Sequence, residues 1–257
     1  MALFEREYIM KLFEKIFKHK YTTAIIVAAG SGTRMNSKEA KQIMEIDGIP
    51  VIARTALAFE KADTIDEIVV VTTEDLISEI AEILNKYSIS KVTKIVLGGS
   101  TRQLSVLSGM EAVSKRTKYI AIQDAARPFI TAELIDKVNI TAYEADGAAP
   151  AIPVTSTVKV VDENGFISKT IDRSNLRLVQ TPQTFNLNKY KILLYKALAL
   201  KKDYTDDCQL FEAEGGKIKL IEGDLNNIKI TYKEDIVHAN AIAISISEEK
   251  NENRNRV

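Results

Sequence analysis

Thr23-Ala24-Ile25-Ile26-Val27-Ala28-Ala29-Gly30-Ser31-Gly32-Thr33-Arg34-Met35 joins an apolar run to a glycine-rich turn. The run does not alternate with polar residues. That is the pattern of a strand buried on both faces, in a sheet with helices on either side. Gly30 and Gly32 let the backbone turn sharply and expose N–H groups, and Arg34 adds a permanent charge with several fixed donors. Open α/β sheets bind ligands at the carboxyl ends of their strands, which is where this turn falls. The turn therefore reads as an anion site. It is not a Walker A loop, because Thr33-Arg34-Met35 stands where Gly-Lys-Ser/Thr is needed. Nor is it a dinucleotide fingerprint, because Met35 takes the place of the third glycine.

Strand and helix patterns alternate beyond this point. Strands are expected over 23–29, 67–73, 91–97, 119–123 and 148–154. Helices are expected over 52–62, 76–87, 102–114 and 131–144, the last capped by Thr131. This predicts an α/β fold with a mainly parallel, Rossmann-like sheet and helices on both faces. The rhythm breaks between Pro153 and Pro182. There 158–161 and 166–171 flank Asp162-Glu163-Asn164-Gly165, a hairpin signal with Asn-Gly at the turn. With little helix nearby to cover it, the segment from about 154 to 175 reads as a projecting β-arm. Its apolar residues need a partner surface, and a second copy of the chain is the simplest one, so a homodimer is expected. Helices resume at 188–201 and 206–214, strands at 217–222 and 229–232, and a last helix starts near 233. The main domain is thus 22–246, followed by a charged, Asn-rich tail at 247–257 that is expected to be disordered.

Residues 1–21 place Ile9, Leu12, Phe13, Ile16 and Phe17 on one helical face. A helix packed on the domain or on a partner chain is expected, with membrane-surface attachment and disorder as alternatives. Charges interrupt every apolar run and no small-residue cleavage site follows, which argues against a signal peptide. No run approaches the roughly 20 residues that span a bilayer. The 35 basic and 35 acidic residues balance, so there is no global pull toward nucleic acid, and no basic stripe or aromatic platform points to it. Cys208 is the sole cysteine, which excludes an intrachain disulfide and suits a reducing, cytoplasmic setting.

Further motifs lie in order along the chain. Lys41 stands in Glu39-Ala40-Lys41-Gln42. Then come Gly98-Gly99-Ser100-Thr101-Arg102-Gln103-Leu104-Ser105-Val106 and Asp124-Ala125-Ala126-Arg127-Pro128. Thr170-Ile171-Asp172-Arg173-Ser174 and Gln180-Thr181-Pro182-Gln183 follow. Thr205-Asp206-Asp207 and Asn227-Ile228-Lys229-Ile230-Thr231 complete the set. Over about residues 22–245 the chain strongly resembles the 2-C-methyl-D-erythritol 4-phosphate cytidylyltransferases of the non-mevalonate isoprenoid pathway. Ribitol-5-phosphate cytidylyltransferase is the near relative, and a catalytically silent nucleotide-binding protein is the alternative from another class. The chain departs from the family pattern at Gln123 (usually His), Ala40 (Pro), Leu104 (Asp) and Cys208 (Ala).

The resemblance implies transfer of CMP from CTP to a polyol phosphate, with release of pyrophosphate and with Mg²⁺ as cofactor. It implies catalytic roles for Arg34, Lys41, Arg173 and Lys229. Arg34 and Lys41 would act at the α-phosphate and leaving group, while Arg173, Lys229 and Thr157 would hold the acceptor phosphate. The nucleotide would meet Ala28, Ala29, Gly30, Gly32, Gly98, Gly99, Arg102 and Ser105, and a side chain on Gly99 would fill the base pocket. Ala125, Arg127, Thr181 and Thr205 complete the substrate-binding set. Asp124, with Asp224 as a second candidate, would hold the metal, since hard carboxylate oxygens suit Mg²⁺. The acceptor phosphate is ionised near pH 7, so no histidine base is needed; His19 and His238 are read as structural or solvated.

Overall fold

A computed structural model describes residues 20–30 and 40–254, with side chains to 248. The expected helix before residue 20, His19, Gly32 and Arg34 lie outside the described residues.

β1 (Thr22–Val27), β4 (Glu67–Thr72) and β6 (Tyr119–Asp124) are almost wholly buried. β1 pairs in parallel with both β4 and β6, and β4 pairs in parallel with β5 (Val92–Leu97). The far half of the sheet is mixed. β7 (Gly147–Pro153) pairs in parallel with β12 (Ile218–Glu222) and antiparallel with β10 (Arg177–Val179) and β11 (Gln183–Asn186). β11 also pairs antiparallel with β6, closing the order β10-β7-β11-β6-β1-β4-β5.

Both sheet faces are covered, as the unalternated strands require. On one face Ala24, Ile26 and Val70 pack against Phe59 of α1 (Val51–Lys61), Ile80 of α2 (Ile77–Lys86) and Ile135 of α4 (Ala132–Tyr143). On the other, Ile25, Val71 and Ile122 meet Val106 of α3 (Arg102–Ala112), Leu194 of α5 (Leu187–Ala199) and Phe211 of α6 (Asp207–Glu212). A third cluster forms beside the sheet. There Ala239, Ile242 and Ala243 of α7 (Lys233–Arg254) cover Ile46, Phe129 and Ile230. Thr131 caps α4 by accepting the Leu134 N–H, as read from the sequence.

The hairpin of β8 (Val158–Val161) and β9 (Ile167–Ile171) forms a sheet of its own, turned by Gly165 at φ +84°. Val161, Phe166 and Ile167 on it are exposed.

Two expectations need correction, and four short strands were not expected. Residues 229–232 form no strand: Ile230 makes one backbone bond, to the Ala126 carbonyl, and its side chain is buried under α7. β10 and β11, and the short β2 (Glu45–Ile46) and β3 (Ile49–Pro50), are too brief to show a period; pairing with distant strands defines β10 and β11, and β2 pairs with β3. The tail expected to be disordered from 247 is helical to Arg254. Its Glu and Lys residues are good helix formers and extend a helix already nucleated by packing.

α3 lies close on the sheet at Gly109. A Cβ there would come 2.4 Å from Cγ2 of Ile25 and 2.9 Å from Cγ2 of Val71, both in the core. Gly109→Val should therefore destabilise the protein by about 1–3 kcal/mol, read as a lower thermal midpoint.

Candidate active site

The parallel register sets Val27 beside Asp124, so the ends of β1 and β6 share one level. The turn after β5 is tied to the end of β4, the neighbour of β1, by the Gly98 N–H, which donates to the Thr72 carbonyl. A cleft of about 320 Å³ opens over these ends. Ala29, Gly30, Lys41, Gly99, Arg102, Ser105, Asp124, Ala125 and Lys229 line it, drawn from five segments of the sequence. Most of the nucleotide and charge residues expected from the sequence meet here.

Asp124 is the electrostatic centre. Its Oδ2 lies 2.6 Å from Nζ of Lys229, and its Oδ1 lies 3.4 Å from Nε of Arg102. Burial opposes ionisation, but the charges of Arg102, Lys229 and Arg127 outweigh it and hold the carboxyl well below its usual range. Asp124 is therefore an anion throughout the physiological range. Burial tends to lower the Arg102 pKa, yet Asp207 and Asp124 raise it further above the arginine norm. Arg127 is pulled down by burial, offset in part by Asp124. It is not among the residues lining the cleft, and its Nη1 donates to the Asn227 carbonyl at 2.7 Å.

The glycine turns are shaped by packing. A Cβ on Gly98 would come 2.5 Å from Cβ of Ala29, so the two loops can touch only at glycine. A Cβ on Gly99 would meet Leu104 of α3 at 2.3 Å, so packing against that helix alone requires glycine here. The Ser105 hydroxyl donates to the Thr101 carbonyl at 2.9 Å and accepts the Gly99 N–H at 3.2 Å. It secures the turn on the helix. Ala28 is buried beneath the loop.

Other expected residues lie elsewhere. Thr181 is buried behind Asp124, and its hydroxyl accepts the Asp124 N–H at 3.2 Å. It follows that β11, antiparallel to β6, brings Thr181 to the back of the site. Thr205 is exposed and bonds Gln209, next to the Asp206 cap of α6. Asp224 lines a different cavity, and its carboxylate accepts the Asn226 N–H in a local turn. Thr157 and Arg173 stand exposed on the arm, where the Arg173 guanidinium donates to the Thr155 carbonyl. Neither lines the cleft.

Three residues with no role assigned from the sequence support this geometry. Gln42 is buried, and its Nε2 donates to the carbonyls of Ala28 and Gly30, tying the glycine loop to the segment that carries Lys41. Gln180 donates to the carbonyls of Asp224 and Asn227 and accepts from the Asp224 N–H and Asn227 Nδ2, so it clamps the loop that leads to Lys229. Gln183 donates to Asp206 and accepts the Cys208 N–H, fixing the start of α6. Their place in the Lys-Gln and Gln-Thr-Pro-Gln motifs was the available signal. Among the described residues no group of three or more His, Cys, Asp or Glu could hold a metal, and no helix is long and apolar enough to cross a membrane.

Gln180→Ala would remove four hydrogen bonds that clamp the 224–227 loop and leave the half-buried Asp224 N–H without its partner, while the Asp224 and Asn227 carbonyls keep the Asn227 N–H and Arg127. A loss of about 1–3 kcal/mol is expected by urea unfolding.

Comparison with known proteins supplies the family. The profile of the 2-C-methyl-D-erythritol 4-phosphate cytidylyltransferases matches residues 22–245. A protein of that description from Clostridium botulinum (strain Loch Maree / Type A3) is 44% identical over 215 residues, covering 84% of this chain and 94% of its own. One from Caldanaerobacter subterraneus subsp. tengcongensis is 44% identical over 222 residues, covering 84% and 96%. The crystal structure of 4-diphosphocytidyl-2C-methyl-D-erythritol synthase from Anaerococcus prevotii superposes with a TM-score of 0.79 at 34% identity, over 89% of this chain and 98% of that one. With match and fold in agreement along nearly the whole domain, this chain belongs to the 2-C-methyl-D-erythritol 4-phosphate cytidylyltransferase family.

Proposed function

We propose that this cytidylyltransferase, which moves CMP from CTP onto 2-C-methyl-D-erythritol 4-phosphate, works by direct in-line attack within the cleft around Asp124. An oxygen of the acceptor phosphate attacks the α-phosphorus of CTP. The bond from that phosphorus to the β-phosphate oxygen breaks, and pyrophosphate leaves. The acceptor's second ionisation, with a pKa of about 6, leaves it dianionic at neutral pH, so no protein base takes a proton. Both reactants are anions, and charge builds on the equatorial and leaving oxygens. Positioning and fixed positive charge then carry the rate. The observation that supports this most directly is the convergence of Lys41, Arg102, Asp124 and Lys229 on one cleft at the strand ends.

Lys41, which lines the cleft, would act at the leaving phosphates, and Arg34 is assigned the same role. Lys229 holds the acceptor phosphate beside Asp124. The donor set fits a divalent cation shared with the substrate: one hard carboxylate from the protein, with the triphosphate as the other source of oxygens. Mg²⁺ so held would draw charge from the triphosphate. Asp124 is its ligand from the chain; Asp224, turned to another cavity, is not assigned to it.

Arg173 and Thr157 serve the site of a second copy. On their own subunit they stand on an arm whose Val161, Phe166 and Ile167 are 56, 72 and 65% exposed, which supports burial against a partner in a homodimer. The lone buried thiol of Cys208, raised by burial and nearby carboxylates, fits a cytoplasmic protein.

Pyrophosphate release from CTP should be measured with 2-C-methyl-D-erythritol 4-phosphate and with ribitol 5-phosphate. Turnover with the first is expected; turnover with the second alone would reverse the acceptor assignment. CTP binding without turnover on either would mark a silent nucleotide-binding protein. Lys41→Ala should lower kcat about a hundredfold, equivalent to about 3 kcal/mol of barrier.

Phe166→Asp places a charge on the arm's most exposed aromatic. It should shift the protein from dimer to monomer in sedimentation and reduce activity with it. A monomeric wild type, or a fully active monomeric variant, would reject the shared site.

A further inference from the structure

Asp207 and Tyr190 are buried, and neither takes part in the mechanism above. Asp207 lies in the first turn of α6 with its side chain 4% exposed. Its Oδ1 accepts the Tyr190 O–H at 2.5 Å. Its Oδ2 lies 2.7 Å from Nη1 of Arg102 and receives no well-directed hydrogen bond, so the contact is chiefly ionic. An ionised carboxylate this deep is expensive to bury and is strongly destabilised if its partner is lost.

Arg102 sits between two carboxylates at unequal range. Nη1 is 2.7 Å from Asp207, outside the cleft lining, while Nε donates a long hydrogen bond of 3.4 Å to Oδ1 of Asp124, within it. Lys229 already occupies the other oxygen of Asp124 at 2.6 Å. If Arg102 also closed on Oδ1, both oxygens would be taken by cations. Asp207 cannot swing after Arg102, because Gln183 ties Asp206 and the Cys208 N–H on either side of it, and Tyr190 ties its own carboxylate.

We propose that Asp207 is a positioning residue that draws the Arg102 guanidinium away from Asp124, keeping Oδ1 of Asp124 open toward the cleft for a divalent cation. The inference rests on the assignment of Asp124 to that cation. With Asp207 neutral, Asp124 becomes the nearest anion for Arg102. The loose 3.4 Å contact then tightens into a charge-assisted pair that competes with the metal.

The test is Mn²⁺ binding to the full chain saturated with CTP, with no acceptor present, followed by the electron paramagnetic resonance of free Mn²⁺. Asp207→Asn preserves shape and a partner for Tyr190 while removing the charge. It should weaken Mn²⁺ binding about tenfold and raise the Mg²⁺ concentration for half-maximal turnover by a similar factor. Asp207→Glu, which keeps the charge, should stay near wild type. Wild-type Mn²⁺ affinity in Asp207→Asn overturns the proposal, even if its thermal midpoint falls, because a purely structural residue would move stability alone. Should that variant fail to fold, Asp207→Ser decides by the same readout. Asp124→Asn separates the two readings. If it leaves Mn²⁺ binding unchanged, the assignment of Asp124 fails and this inference with it; if Asp124→Asn weakens binding and Asp207→Asn does not, this inference alone fails.

Discussion

A carboxylate at the buried end of a strand must be paired, and the pairing of Asp124 organises the rest of the site. Taking a charge out of water is unfavourable by several kcal/mol unless opposite charge and hydrogen bonds compensate. Asp124 meets that requirement from two directions: Lys229 from the stretch before α7 and Arg102 from the first turn of α3, while its own backbone N–H is held by the Thr181 hydroxyl. Each partner comes from a different segment. The fold must therefore close around Asp124 before the charge can be buried, and once closed, the same cations line a cleft suited to phosphates.

The Gln-Thr-Pro-Gln turn explains how so many segments hold position. Gln180 clamps the loop from Asp224 to Asn227, Thr181 supports the Asp124 backbone and accepts from Asn227, and Gln183 anchors α6. A motif that looks like a substrate contact in sequence is here a set of struts behind the substrate face. Polar networks that tie distant segments together in this way rigidify the arrangement they hold.

This distinction marks what could be read from the sequence. The doubly buried strands were legible in Ala24-Ile25-Ile26-Val27 and Ile68-Val69-Val70-Val71, because burial on both faces leaves an unbroken apolar run. Lys41, Arg102, Asp124 and Lys229 were legible as charges in motifs at strand or helix ends. The carriers of position were not. Gln180 and Gln42 act through bonds to backbone carbonyls that exist only after distant segments meet, and no local spacing encodes that. β11 was missed for the same reason: Thr184 and Phe185 favour strands, but four residues are too few to show a period, and the segment is a strand because β6 and β7 lie beside it. Thr181 and Asp224 had plausible chemistry but do not line the cleft, since a residue type says what a side chain can do and only the topology says where it stands.

The balance of charge in the described cleft bears on why the arm projects. Arg102 is answered by Asp124 and Asp207, and Lys229 by Asp124. Much of the cleft's positive charge is therefore already engaged before any substrate arrives, while both substrates of the family's reaction are polyanions. Pairing of this kind keeps the cations ordered, which is the condition for electrostatic stabilisation without reorganisation. It also means that further positive charge must come from outside the pairs. Under the mechanism proposed above, that charge would come from Arg34, from a divalent cation beside Asp124 and from Arg173 of a second copy, so the full field would be assembled only once both phosphates are in place.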